Sequence, residues 1–290
     1  MRHRFRLLLV SLIAVLAATT GVTANAGQAT AAAPQTITIA VVDTGVDVSH
    51  PDLSGKLVTG FDVVTGTAPT SDAGWHGTAV ASIAAGSSDA SLGITSYCSE
   101  CSAMPVKVLD ANGQGSDEDI ARGIRWAVDH GARVVNLSLE GPTEDPALPA
   151  AIRYAVRRQV VVVAAAGNDG SSDRSYPAAE SNVIGVAATN PSDRLYPWSN
   201  RGRWVALAAP GINMSAVPGG GSFRFQGTSS AAALVSGVAG MCLTAAPSLT
   251  PALVRRALVA GAVRIAGASF GRIDAERTIA LCRSYASSAG

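Results

Sequence analysis

From residue 37 onward, short apolar runs alternate with longer segments of helical period. Residues 37–42, 104–109, 133–138, 160–165, 183–188 and 204–208 are dominated by apolar, often β-branched side chains. Such runs suit strands covered on both faces of a sheet. Residues 116–130 read as an amphipathic helix: Ser116 is the N-cap, and Asp117, Glu118 and Asp119 complement the dipole of the first turn. Ile120, Ile124, Ala127 and Val128 share one face, and Gly131 marks the stop. A second helix is predicted over 147–158, and Thr250-Pro251 opens a third that runs to about residue 260. Residues 212–217 and 223–226, joined through Pro218-Gly219-Gly220-Gly221, predict a hairpin. Strand–helix–strand alternation implies right-handed crossovers. The expected fold class is α/β: a central, mainly parallel sheet with helices on both faces, with no internal repeat and no second domain.

The hairpin feeds directly into residues 227–240, where Ser229 follows a Gly-Thr turn and Ala and Ser dominate the run behind it. A helix is predicted to start at once, and its small side chains let it pack close to other backbone. Ser229 then stands beside the unpaired N–H groups of a helix start, where a developing anion is favoured. A lone serine in this position is ordinarily a cap. To act as a nucleophile it needs a base, an orienting acid and an oxyanion donor from elsewhere in the chain.

The N-terminus stands outside this pattern. Arg2, Arg4 and Arg6 precede an apolar core at 7–18 and the small-x-small site Ala24-Asn25-Ala26, the plan of an export signal. The core is shorter than the roughly 20 residues a membrane span needs. The expected layout is a signal peptide at 1–26, a short linker at 27–35, one domain at 36–283 and a tail at 284–290, so the protein is expected to be secreted. Of 290 residues, 48% are hydrophobic and 15% charged, enough for one large core. Loss of 1–26 removes three arginines and no acid, leaving 19 basic against 21 acidic residues. A near-neutral chain without a basic run argues against nucleic acid and anionic membrane as partners, and a monomer is expected. Four cysteines remain, Cys98, Cys101, Cys242 and Cys282. In an oxidising compartment an even number favours disulfides, and Cys98 with Cys101 and Cys242 with Cys282 is the preferred connectivity of three. A metal or redox site at Cys98-Ser99-Glu100-Cys101 is the alternative, although one CxxC in an exported chain is a poor zinc signal.

Four polar residues fall at strand ends or helix starts. Asp43 closes the first strand, where a turn-forming aspartate, an orienting carboxylate and a phosphoryl acceptor are all open readings. His76 opens a helix of small residues. The other histidines beyond residue 26 have plainer places: His130 at a helix end, His50 in the turn before Pro51. Asn168 follows the strand at 160–165. An imidazole to accept the serine proton, a carboxylate to fix its tautomer and an amide aimed at the oxyanion complete what a serine hydroxyl lacks. A phosphoryl-transfer site would also need a second acidic cluster and a phosphate loop, and the sequence offers neither.

Four segments resemble the subtilisin-like serine proteases (subtilases): Val41-Val42-Asp43-Thr44-Gly45-Val46-Asp47 with His50-Pro51-Asp52-Leu53; His76-Gly77-Thr78-Ala79-Val80-Ala81; Ala165-Ala166-Gly167-Asn168; and Gly227-Thr228-Ser229. They stand in the family's order and the resemblance spans residues 36–282. It implies a subtilisin-like sheet and an endopeptidase acting on polypeptides, with no cofactor required for the chemistry. By that resemblance Asp43 orients, His76 is base and then acid, Ser229 attacks, and Asn168 with the Ser229 N–H forms the oxyanion hole. Ser138, Leu139 and Glu140 resemble the strand that pairs with an extended substrate. Ala165, Ala166 and Gly167 resemble the opposite wall of an open, apolar-tolerant pocket.

The departures from the family pattern carry their own expectations. Glu140 stands where the family has glycine and is expected to bias the cleft toward basic residues. Ser230 and Ala233 replace the usual Met and Pro, which leaves the course of that helix open. The loop 86–93 is shorter than the family's calcium-binding loop. Asp52 matches a calcium ligand and Asp89 is a second candidate for a structural calcium, with surface charge as the competing reading. About nine residues separate the expected signal peptide from the first strand, too few for the folding propeptide of many secreted relatives. A catalytically silent subtilase used for binding is the competing function, and it leaves the presence of all four reacting groups unexplained.

Overall fold

Alternate residues of each central strand enter opposite hydrophobic layers. In β1 (Thr38–Asp43), Ile39 and Val41 join one core cluster while Ala40 and Val42 join a second, as the two-residue period of a strand requires. In β5 (Val161–Ala165) the split repeats, with Val161, Val163 and Ala165 on one side and Val162 and Ala164 on the other. This computed structural model describes residues 36–68, 71, 72, 74–141 and 145–288. The expected signal peptide and linker at 1–35 lie outside the described residues.

The remaining elements, in chain order, are β2 (Phe61–Asp62), α1 (His76–Ala85), β3 (Ser102–Lys107), α2 (Asp117–Asp129), β4 (Val134–Leu137), α3 (Ala147–Arg157), β6 (Val183–Thr189), β7 (Leu207–Pro210), β8 (Ile212–Val217), β9 (Gly221–Gln226), α4 (Thr228–Ala245), α5 (Pro251–Gly261), β10 (Val263–Arg264), β11 (Gly271–Arg272) and α6 (Ala275–Ser287). The main sheet runs β10-β11-β7-β6-β5-β4-β1-β3-β2, and among the described residues only the β10–β11 pair is antiparallel. Helices α2 and α3 pack on one face; α1, α4, α5 and α6 pack on the other. The α/β expectation therefore holds. The strand order turns back at β1, where β3 lies on one side and β4 on the other. Ligand sites of open parallel sheets gather at such a point, beyond the carboxyl ends of the strands.

Helix α4 is the packed centre of its layer. Fifteen of its 18 residues, from Thr228 through Leu243, are buried, and full burial of a Leu or Val contributes roughly 1.5–3 kcal/mol. A Cβ on Gly237 would come within 2.8 Å of the Ala84 carbonyl oxygen, so the small residues bring α4 against the backbone of α1. The helix is long and apolar enough to cross a membrane, yet 83% of it is buried within this fold. It runs unbroken through Ala233, and Ser230 Oγ accepts a 2.8 Å hydrogen bond from Asn213 Nδ2 of β8. Both departures from the family sequence are thus absorbed without a break. Disulfides join Cys98 to Cys101 and Cys242 to Cys282, the preferred connectivity. The second ties α4 to α6.

Some boundaries differ from expectation. The strand predicted at 204–208 starts only at Leu207, because a turn bond from Val205 N–H to Gly202 O holds the residues before it. Helix α3 ends at Arg157, with Arg158 as its C-cap. Residues 284–287 continue α6, so no separate tail begins at 284. The two-residue strands β2, β10 and β11 and the whole of α6 were not anticipated.

Candidate active site

Asp43 ends β1 fully buried, and one of its oxygens accepts the Thr44 N–H at 2.7 Å. His76 begins α1, placed so that Nδ1 lies 2.8 Å and 2.9 Å from the two Asp43 oxygens. A carboxylate can only accept, so Nδ1 carries the proton and Nε2 is left with its lone pair. Burial pushes the imidazole pKa down, but the charge and hydrogen bond of Asp43, aided by the charge of Asp72, outweigh it and hold the pKa above the ordinary value. The ring is walled by aromatic edges, Phe225 at 5.3 Å and Trp75 at 5.7 Å between centroids.

The start of α1 lacks a capping side chain of its own, because Trp75 occupies the N-cap with φ 93°. Asp72 supplies the cap instead. One oxygen accepts from Thr78 N and Thr78 Oγ1 at 2.8 and 2.6 Å, the other from Thr44 Oγ1 and Gly74 N at 2.7 and 3.0 Å. Thr44 Oγ1 in turn accepts the Gly77 N–H at 3.0 Å. A Cβ on Gly77 would overlap the Gly45 carbonyl oxygen. Only glycine lets α1 meet the β1 exit so closely that His76 reaches Asp43.

Ser229 lies in the first turn of α4 with 8% of its surface exposed. Its hydroxyl donates to the Ser138 carbonyl at 3.3 Å, and no hydrogen bond joins it to His76. Its own carbonyl accepts from Ser138 Oγ at 3.2 Å, which accepts from Asn136 Nδ2 at 2.8 Å, while Asn136 Oδ1 accepts from Ser236 Oγ at 2.9 Å. This buried relay locks the start of α4 to the end of β4. On the other side, Asn168 Oδ1 accepts the Thr228 N–H at 2.9 Å and the Thr228 hydroxyl at 3.1 Å. Because the amide oxygen is held by donors, the Nδ2 group is turned the other way, where it also contributes a hydrogen bond to Glu140. The Ser229 N–H, in the unpaired first turn, makes no hydrogen bond among the described residues.

Two spaces of the cleft are bounded by the described residues. One, about 570 Å³, runs from His76 and Trp75 past Leu109 and Ile120 to Leu139 and Glu140. The backbone groups of Leu139 and Glu140 take no backbone partner among the described residues, whereas Gly141 exchanges two bonds with Tyr176. The second space, about 530 Å³, lies beyond Glu140 and is lined by Asp169, Asp173, Arg174, Ser175 and Asn200. Glu140 reaches across the face of Gly167, whose φ of +105° and contact with the Glu140 carboxylate both exclude a side chain. Its oxygens accept from Asn168 N at 3.2 Å and Ser175 Oγ at 3.3 Å. Desolvation by its neighbours, with the charge of Asp169, pushes this carboxyl above its usual range, and hydrogen bonds from Asn168 and Ser175 offset part of the rise.

Asp43, His76, Asn168, Ser229, Ser138, Leu139, Glu140 and Gly167 thus converge at the carboxyl edge of the sheet. Ala165 and Ala166 do not present side chains there: both are buried in core clusters, so any part they take in the cleft is through backbone. The space beyond Glu140 carries three carboxylates, Glu140, Asp169 and Asp173. His50 and His130 are committed elsewhere. His50 accepts the Asp52 N–H and faces the Gly221 carbonyl, and His130 bonds the Trp126 carbonyl and stacks on its ring. Asp52 and Asp89 lie together, joined through the Asp89 N–H. Asp89 Oδ1 is taken by Ser91, Asp52 Oδ1 by Ser87 and the Asp89 N–H, and Asp52 Oδ2 alone is buried without a partner. Among the described residues, no group of three or more His, Cys, Asp or Glu could hold a metal ion. Sequence reasoning missed Asp72, Asn136, Ser236 and Asn200. The last grips the Ala166–Ser171 turn through bonds to Ala166 O, Asp169 N and Ser171 N.

A doubly wound sheet that brings serine, imidazole, carboxylate and amide to one edge is the framework of a nucleophilic-serine hydrolase. The chain belongs to the subtilase family, whose pattern matches residues 35–277. It is 40% identical over 246 residues to a thermophilic serine proteinase of Bacillus sp. (strain AK1), covering 83% of this chain and 61% of that protein. It is 39% identical over 246 residues to thermitase of Thermoactinomyces vulgaris, covering 83% of this chain and 88% of that one. Among solved structures, it superposes on a cold-adapted subtilisin-like serine proteinase with a TM-score of 0.75 and 31% identity, covering 81% of this chain and 87% of that chain.

Proposed function

We propose that this chain is an exported, monomeric serine endopeptidase that hydrolyses polypeptides through an acyl-enzyme on Ser229. The observation that carries the reading is the paired contact of His76 Nδ1 with both Asp43 oxygens, beside a serine at a helix start in a subtilase. An extended substrate adds as a strand along Ser138–Glu140, where the backbone groups of Leu139 and Glu140 take no backbone partner among the described residues. The Ser229 hydroxyl turns from the Ser138 carbonyl toward Nε2, giving up a long bond of 3.3 Å. His76 takes the proton as Oγ attacks the peptide carbonyl. The tetrahedral oxyanion is held by the Ser229 N–H and the Asn168 Nδ2 group, a donor of the kind worth about 2.7–4 kcal/mol in the transition state. Collapse returns the proton from His76 to the leaving amine, and water then hydrolyses the ester by the same steps in reverse roles. Every step is carried by these four residues and water. The export signal read at 1–26 and the two disulfides support an extracellular site of action.

Labelling with a serine-reactive phosphonate tests the reading. Ser229→Ala should abolish both adduct and turnover with the fold intact, and full residual activity rejects the assignment. Asn168→Ala should lower kcat by about 10²–10³ with little change in KM, since the oxyanion exists only beyond the ground state. An equal effect on KM alone speaks against its donor role.

A further inference from the structure

The space beyond Glu140 has a charge balance that a generic hydrophobic pocket would not have. Among the described residues, Glu140, Asp169 and Asp173 all line it, and Arg174 is the one cation there. None of the four ion pairs among the described residues involves any of these groups. Glu140 accepts from Asn168 N at 3.2 Å and Ser175 Oγ at 3.3 Å, with the Asn168 side chain as a further donor, fewer than the about four acceptor sites a carboxylate offers. Its side chain remains open to the cleft, so an incoming group can reach it. Placement ties this space to the point of attack. Glu140 Oε1 accepts the N–H of Asn168, the residue whose amide oxygen is held by Thr228, immediately before Ser229. Glu140 thus stands one hydrogen bond from the residue that would face the oxygen of a carbonyl held at Ser229.

We propose that this space receives the side chain of the residue whose carbonyl Ser229 attacks, and that Glu140 selects lysine and arginine there. The inference rests on the endopeptidase reading above. A lysine or arginine side chain enters beside Glu140, which itself covers the face of Gly167, and its cationic head meets the free sites of Glu140 with Asp169 behind. An ionised partner makes the stronger hydrogen bond, and arginine can engage both carboxylate oxygens. A leucine or phenylalanine in the same place would desolvate Glu140 and return nothing to it. Acidic side chains are repelled.

The experiment uses the exported chain and its Glu140→Gln variant. Peptides that differ only in the residue before the cleaved bond, Lys, Arg, Leu or Glu, give kcat/KM ratios. Calorimetry measures binding of benzamidine, an amidine cation, to Ser229→Ala with and without Glu140→Gln. The expected result is a preference of at least tenfold for Lys and Arg over Leu, equivalent to about 1.4 kcal/mol. Glu140→Gln should shrink that ratio at least tenfold and weaken benzamidine binding by a similar factor. Hydrolysis without that preference, or a ratio that Glu140→Gln leaves unchanged, overturns the assignment of selectivity and leaves the endopeptidase reading in place. Benzamidine binding that depends on Glu140 in a chain that cleaves no peptide does the reverse. Absence of both removes both.

Discussion

Asp72 is the residue on which the catalytic geometry and its electrostatics can be tested together. Its carboxylate accepts four hydrogen bonds, from Thr44 Oγ1, Gly74 N, Thr78 N and Thr78 Oγ1. Of these, the Thr78 N–H is a first-turn donor of α1, and losing such a cap costs about 1–2 kcal/mol. The two hydroxyls regain water in part, so each lost bond adds about 0.5–1 kcal/mol. Asp72→Ala should therefore destabilise the protein by about 2–4 kcal/mol, which for a domain of this size lowers Tm by about 5–15 °C. Asp72→Asn keeps the shape and removes the charge, which isolates the second effect. The Asp72 charge helps hold the His76 pKa above its ordinary value. The acid limb of kcat/KM reports the free enzyme's base, so Asp72→Asn should move that limb to lower pH. The assays are thermal unfolding and a pH profile of kcat/KM on one peptide. A limb that stays in place or moves upward, with Tm reduced, would refute the electrostatic part; an unchanged Tm in Asp72→Ala would refute the cap.

Two further outcomes follow from contacts in the same layer. Gly77→Ala forces a methyl into the Gly45 carbonyl oxygen; overpacking of this kind costs about 1–3 kcal/mol and displaces His76, so Tm and kcat/KM should fall together, and a variant with both intact contradicts the packing. Replacing Cys242 and Cys282 by serine opens a loop closed across a separation of 40 residues, which by chain entropy should cost about 4 kcal/mol in denaturant unfolding; a loss below about 1 kcal/mol would show that α6 is held by its packing alone.

Much of the architecture was legible before any coordinates. Buried parallel strands must be apolar on both sides of the pleat, and 37–42 and 160–165 say so in consecutive residues. The α2 helix announces both ends, Ser116 capping the Asp119 N–H at 3.1 Å as its position implies. Asp43, His76, Asn168 and Ser229 were legible because each sits in a local motif whose residues serve that one place. Asp72, Asn136, Ser236 and Asn200 belong to no such motif. Most of their partners lie 6 to 100 residues away along the chain, and an aspartate, asparagine or serine in a loop or strand looks the same whether it braces a site or faces water.

Local order along the backbone, then, decides which segments become strands and helices and which residues carry reactive groups, because period, caps and turns depend on near neighbours. Folding decides the rest. It turns Ala165 and Ala166 into the core, brings Ser236 of α4 to Asn136 of β4, and lays Glu140 over Gly167 with Asp169 and Asp173 nearby. Those outcomes depend on which surfaces meet through space once the sheet is wound, and no spacing along the chain specifies them.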